Sequence, residues 1–163
     1  MFIENKANLY SNNFYKFNAL NLACMNENIS LEIVKYLVEN KCEMNQNAFK
    51  NTPLHNTFQN KNVSIEIIKY LVENKCDLNL EGNFKNNLLH FACQNENYSI
   101  EIIKYLVENK CDLNYKNIYH KIPLHNAFEN KNISLEIIKY LVENKSDLNE
   151  NRNYCDSSLN FAC

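Results

Sequence analysis

The string Ile65-Glu66-Ile67-Ile68-Lys69-Tyr70-Leu71-Val72-Glu73-Asn74-Lys75 returns from Ile100 and, with Leu in first place, from Leu135; a close relative starts at Leu31. A second signature, Thr52-Pro53-Leu54-His55, returns as Asn87-Leu88-Leu89-His90 and Ile122-Pro123-Leu124-His125. Weaker copies stand at Asn18-Ala19-Leu20-Asn21 and Ser157-Ser158-Leu159-Asn160. Leu54, Leu89, Leu124 and Leu159 lie 35 residues apart, and Leu20 precedes Leu54 by 34. A fixed period of that size confines a chain to stacked supersecondary units, because one unit cannot bury its own apolar stripe.

Each unit reads as two short helices. In the second, Ile67, Ile68, Leu71 and Val72 fall at i, i+1, i+4 and i+5, one stripe at helical period. Ser64 precedes it as an N-cap, Glu66 stands in the first turn where the helix dipole favours an acid, and Ser30, Ser99 and Ser134 repeat the arrangement. The first helix starts near Pro53 or Pro123, since proline suits a first-turn position. A polar stretch such as Asn79–Asn86 then forms a hairpin-like loop between units.

These three landmarks, Thr52-Pro53-Leu54-His55, Glu66-Ile67-Ile68-Lys69-Tyr70-Leu71 and the closing Cys76-Asp77-Leu78-Asn79, resemble those of the ankyrin-repeat family, in order and over essentially the whole chain. The resemblance implies an all-α repeat solenoid, an ankyrin-like stack of helix–turn–helix units joined by hairpin-like loops. The chain reads as a single array over 1–163: the tail of a preceding repeat at 1–17, repeats at 18–51, 52–86, 87–121 and 122–156, and the start of a truncated repeat at 157–163. Phe2–Leu9 matches Leu71–Leu78, and neither end carries a polar cap, so the expectation is a segment of a longer array.

Three departures from the family pattern stand out. The turn between helices, Gln59–Ser64, is two residues longer than the family norm. The position after the second helix, usually glycine in the family, is Lys41, Lys75, Lys110 or Lys145. The hairpin glycine is replaced by Lys50, Lys85, His120 and Cys155. A left-handed lysine costs about 1 kcal/mol relative to glycine.

A register of two runs inside the period. Two residues after each signature leucine come Leu22, Asn56, Phe91, Asn126 and Phe161, and four after it come Cys24, Phe58, Cys93, Phe128 and Cys163. The inter-helix turns alternate as Glu27, Lys61, Glu96 and Lys131. Either neighbouring units exchange bulk across their seam, or a two-unit block was duplicated.

Composition closes off several functions. A net charge of −2 gives no electrostatic footprint for nucleic acid or an anionic membrane, and no apolar run is long enough to span a bilayer. The seven cysteines show no CxxC spacing, and the single glycine forbids a phosphate loop. Asn-x-Ser at Asn28, Asn62, Asn97 and Asn132 reads as helix caps rather than glycosylation acceptors, which favours a cytoplasmic or nuclear compartment. Asparagine, about one residue in five, earns no functional reading by abundance alone.

Equivalent positions in a stack lie too far apart to share a metal at about 2 Å, so the His55, His90 and His125 row is no metal site. The resemblance implies a structural role for it, with Asn21 and Asn160 as polar substitutes. The Cys42, Cys76 and Cys111 row, continued by Ser146, calls for a small side chain, and nothing marks an activated thiolate. No catalytic, cofactor-binding or metal residues are expected, and the chain is read as no enzyme.

The resemblance directs attention instead to the hairpin tips and first-helix ends, which commonly face the partner in the family. Carried over, that surface is Ala48, Phe49, Asn51, Gln59 and Asn60; Asn83, Phe84, Asn86, Gln94 and Asn95; and Ile118, Tyr119, Lys121, Glu129, Asn130 and Tyr154. Tip aromatics offer large contact area with few rotors to freeze, although the rings could instead stack on one another as loop stabilisers. The expected function is a protein-binding module for an unidentified protein, or alternatively a structural spacer or scaffold segment of a larger ankyrin-repeat protein. The expected state is a monomer, or copies joined through uncapped ends.

Overall fold

The structure is a computed structural model that describes residues 17–48, 50–60, 64–95 and 99–149. Its helices follow in the predicted alternation: α1 Ala19–Met25, α2 Leu31–Glu39, α3 Pro53–Gln59, α4 Ile65–Glu73, α5 Leu88–Gln94, α6 Ile100–Glu108, α7 Pro123–Glu129 and α8 Leu135–Glu143. This is an all-α repeat solenoid by class, and among the described residues the only extended pairing is an isolated bridge between Ala48 and Asn51.

Two compact units divide the chain, Met1–Cys76 and Asp77–Cys163. In the first, α1 packs on α2 and α3, and α4 packs on α2 and α3. In the second, α5 packs on α6 and α7, and α8 packs on α6 and α7. Each core is made of the signature leucines and the second-helix stripe: Leu20, Leu54, Ile67, Ile68 and Leu71 in one, Leu89, Ile103, Leu106, Leu124 and Leu141 in the other.

The second helices end in one repeated device. Lys41 N–H donates to Val38 and Cys42 N–H to Leu37, at 2.9 and 3.0 Å, the paired bonds of a Schellman motif. The same pairs recur at Lys75/Cys76, Lys110/Cys111 and Lys145/Ser146. That motif needs a left-handed residue, and the four lysines supply it with φ between 62 and 73°. Lys50, Lys85 and His120 are left-handed as well, at φ 64, 56 and 56°, whereas Gly82 has φ −89°. The chain therefore places lysine where glycine would be free of strain, and its glycine where any residue would serve. The motif also explains the cysteine row, since the residue after the left-handed one turns inward and is buried in all four copies.

Serine capping is uneven. Ser30 and Ser134 accept from the N–H of Ile33 and Ile137 at 3.3 Å, but Ser64 and Ser99 make no such bond. At Ser64 the hydroxyl turns to the Glu66 carboxylate. That carboxylate is held below its usual range by its own backbone N–H and by the serine.

The register of two gains a physical reason within each unit. Asn56 Nδ2 donates to the carbonyl of Asn21 at 3.4 Å, and Asn126 Nδ2 to that of His90 at 3.3 Å. Asn60 reaches the carbonyl of Asn26 at 2.8 Å, and Asn130 that of Cys93 at 3.0 Å. Asn56 and Asn126, the polar members of the alternation, thus satisfy a main-chain acceptor of the repeat before them, while Asn60 and Asn130 add a second bond from a position that is asparagine in every repeat. Lys61 and Glu96, half of the proposed charge alternation, lie outside the described residues.

Candidate partner-binding face

The histidines fix where the hairpin tips stand. Nδ1 of His55, His90 and His125 accepts from the backbone N–H three residues earlier, that of Thr52, Asn87 and Ile122, at 3.3, 3.2 and 3.1 Å. In His90 this leaves Nε2–H to donate to the carbonyl of Lys121 at 2.8 Å, at the base of the next tip. Burial holds the imidazole neutral, lowering its pKa to about 4. In the first repeat Asn21 does the same work, as the sequence suggested. Its Oδ1 accepts from Asn18 N–H at 3.2 Å, and its Nδ2 donates to Gln46 O at 3.3 Å.

Two tips of the second unit are built and joined by main-chain bonds. Gly82 N–H donates to Asn86 O at 2.8 Å, Asn117 N–H to Lys121 O at 3.0 Å, and Ile118 N–H to Phe84 O at 3.0 Å. Asn117 locks the seam: its Nδ2 donates to Asn86 Oδ1 at 2.8 Å while its Oδ1 accepts from the N–H of Tyr119 and Lys121. At the foot of the loops Tyr115 donates to the Glu81 carboxylate, which raises the phenol pKa to about 12 and lowers that of Glu81.

On this frame the rings of Phe84 and Tyr119 lie 5.8 Å apart at 38°, and both remain about half exposed, as does Ile118. Both earlier readings of the tips therefore have a counterpart: the rings do pack together, and they still present apolar area. Lys121 Nζ donates to both Glu129 carboxylate oxygens at 2.7 and 2.8 Å, which ties a tip to the end of α7. Gln59, Gln94 and Glu129 are exposed at the ends of α3, α5 and α7, while Asn83 and Asn95 are half-buried.

Five residues assigned to this surface take another role. Ala48, Asn51, Asn60, Asn86 and Asn130 are buried. Asn51 closes the Ala48 bridge with two 2.9 Å main-chain bonds, Asn60 bonds the preceding repeat, and Asn86 accepts from Asn117. Phe49 and Tyr154 lie outside the described residues. Sequence reasoning missed Asn117, whose signal was an asparagine directly before the exposed tip residues.

The described cysteines are buried free thiols, and burial pushes Cys93 and Cys111 up to about 12 and 11 and raises Cys24 and Cys42 as well. Among the described residues no group of three His, Cys, Asp or Glu could hold a metal ion, and no helix is long and apolar enough to cross a membrane.

Residues 1–81 and 58–152 match the sequence model of a family described as ankyrin repeats (3 copies). No curated protein matches the chain.

Proposed function

The chain belongs to the ankyrin-repeat family, whose members are generally protein–protein interaction modules, and on that premise we propose that it binds a protein partner through its second unit. The contact surface is formed by Phe84, Ile118 and Tyr119 at the tips, with Gln94, Lys121 and Glu129 beside them. One observation carries this reading: an aromatic pair held by main-chain bonds, yet left half exposed. A rigid apolar anchor ringed by polar groups is what a binding hot spot needs, since little entropy is lost on contact. In the first unit, taken by itself, Gln59 is the exposed residue at the equivalent helix end. The repeat frame 18–51, 52–86, 87–121 and 122–156 and a cytoplasmic or nuclear setting belong to the same proposal, the latter supported by the free thiols.

The test is affinity capture from source lysate with wild-type chain and with the double variant Phe84→Ser/Tyr119→Ser. A specific protein held by the first and lost with the second supports the proposal. Capture of nothing by the wild type supports a spacer within a larger protein instead.

A further inference from the structure

The tips of the second unit narrow the chemistry of what they can hold. Phe84, Ile118 and Tyr119 are each about half exposed, and the two rings stand 5.8 Å apart at 38°. Phe84 and Lys85 are both left-handed, at φ 58 and 56°, so a strained turn carries the Phe84 ring. Main-chain groups around the rings already serve one another: Ile118 N–H donates to Phe84 O, Gly82 N–H to Asn86 O and Asn117 N–H to Lys121 O. A strand added here finds those groups taken, which argues against recognition by main-chain pairing. Cations beside the rings are matched within the chain as well. Lys121 Nζ donates to both Glu129 oxygens at 2.7 and 2.8 Å, and Lys85 lies 3.6 Å from Glu81, which also accepts from Tyr115. A phosphorylated or acidic segment would have to displace those carboxylates. An amphipathic helix needs a strip of apolar anchors about 10 Å long, whereas Gln94, Lys121 and Glu129 border these rings.

On the reading that the tips are the binding face, we propose that their occupant is an uncharged, proline-rich segment of the partner in the extended polyproline conformation. The backbone of such a segment stays solvated and asks for no free N–H or carbonyl from the tips. Its proline rings pack on aromatic faces. The segment rises about 3.1 Å per residue, so alternate residues stand about 6 Å apart, which suits the 5.8 Å between the Phe84 and Tyr119 rings. Both sides are stiff before contact, so little entropy is lost on binding. The Lys121–Glu129 and Lys85–Glu81 pairs stay intact beside the segment and ask for no charge on it. Contact is therefore insensitive to salt.

The test is a proton–nitrogen NMR titration of the whole chain with three end-blocked peptides of equal length: all-proline, glutamate-rich, and an amphipathic helix of leucine and lysine. The expected result is that the proline peptide alone shifts the amides of 83–86 and 118–121. Its Kd should change less than about twofold between low and high salt, and Phe84→Ser/Tyr119→Ser should weaken it by about tenfold or more. Shift mapping on the wild type locates the contact even if that variant folds poorly. Tip shifts from the glutamate or helical peptide in place of the proline one overturn the proposal and leave the tips as the binding face. Proline-peptide shifts away from the tips, unchanged in the variant, overturn both. Silence with all three peptides overturns the proposal too, and affinity capture with the double variant then decides the binding face separately.

Discussion

Nε2–H of His90 donates to the main-chain carbonyl of Lys121 at 2.8 Å, tying the first helix of one repeat to the loop that leads into the next. Protonation at Nδ1 leaves this donor in place but removes the lone pair that accepts from Asn87 N–H. One proton thus costs the bond at the start of α5 and the burial of a neutral ring, both of which bear on scaffold stability.

The pKa of His90 is about 4 in the folded chain, below the ordinary value of 6.5. Between those values the unfolded chain binds a proton that the folded chain refuses, so stability is intact above pH 6.5 and is lost as pH falls through the window. The loss is on the order of 3 kcal/mol from this group. Thermal unfolding at pH 7 and pH 4.5 measures it against His90→Asn. That variant should fold, because Asn21 already fills the equivalent position, and it should show a smaller drop on acidification. An equal drop in both proteins would contradict the assignment.

The left-handed lysines predict an unusual gain. Lys75→Gly and Lys110→Gly should each stabilise the chain by about 1 kcal/mol, since φ near 70° burdens a side-chain-bearing residue and not glycine. Denaturant midpoints should rise with each substitution, and Gly82→Ala, at negative φ, should change them little. A fall at either lysine would mean that its side chain contributes more than the backbone strain costs.

Asn130 holds two repeats together. Its Nδ2 donates to Cys93 O at 3.0 Å and its Oδ1 accepts from Asn132 N–H at 3.0 Å, so Asn130→Ala removes both bonds. A loss of about 1–3 kcal/mol follows from stranding a buried acceptor. Chemical denaturation checks it, with Asn132→Ala, an exposed residue, as the control.

How far the sequence was legible depended on the range of the interaction. Helix bounds followed from local signals: Pro53 and Pro123 start α3 and α7, and the Ile67/Ile68/Leu71 stripe marks α4. The strained lysines were also readable, because they stand where the resemblance to the family puts glycine. What stayed hidden was the fate of the amides. Asn51, Asn60 and Asn86 read as polar surface, but an amide has donors and an acceptor that a buried backbone can use. Asn60 finds its acceptor at Asn26 and Asn130 finds its own at Cys93, 34 and 37 residues back along the chain. Asparagine abundance looked like compositional bias for the same reason. Asn40, Asn74, Asn109 and Asn144 each donate from Nδ2 to the tyrosine carbonyl four residues earlier at 2.8 Å, so each copy has a structural task.

The tip aromatics should matter little to the scaffold. Half-exposed rings in contact contribute about 1 kcal/mol, so Phe84→Ser/Tyr119→Ser should shift unfolding only slightly while abolishing partner capture. A large loss of stability would assign the rings to loop support.

Hydrogen exchange of the chain with and without its captured partner bears most directly on the binding account. New protection should appear at 83–86 and 118–121 and at the ends of α5 and α7, with the outer turns of α6 and α8 unchanged. Protection confined to α6 and α8, with the tips exchanging as in the free chain, would contradict it.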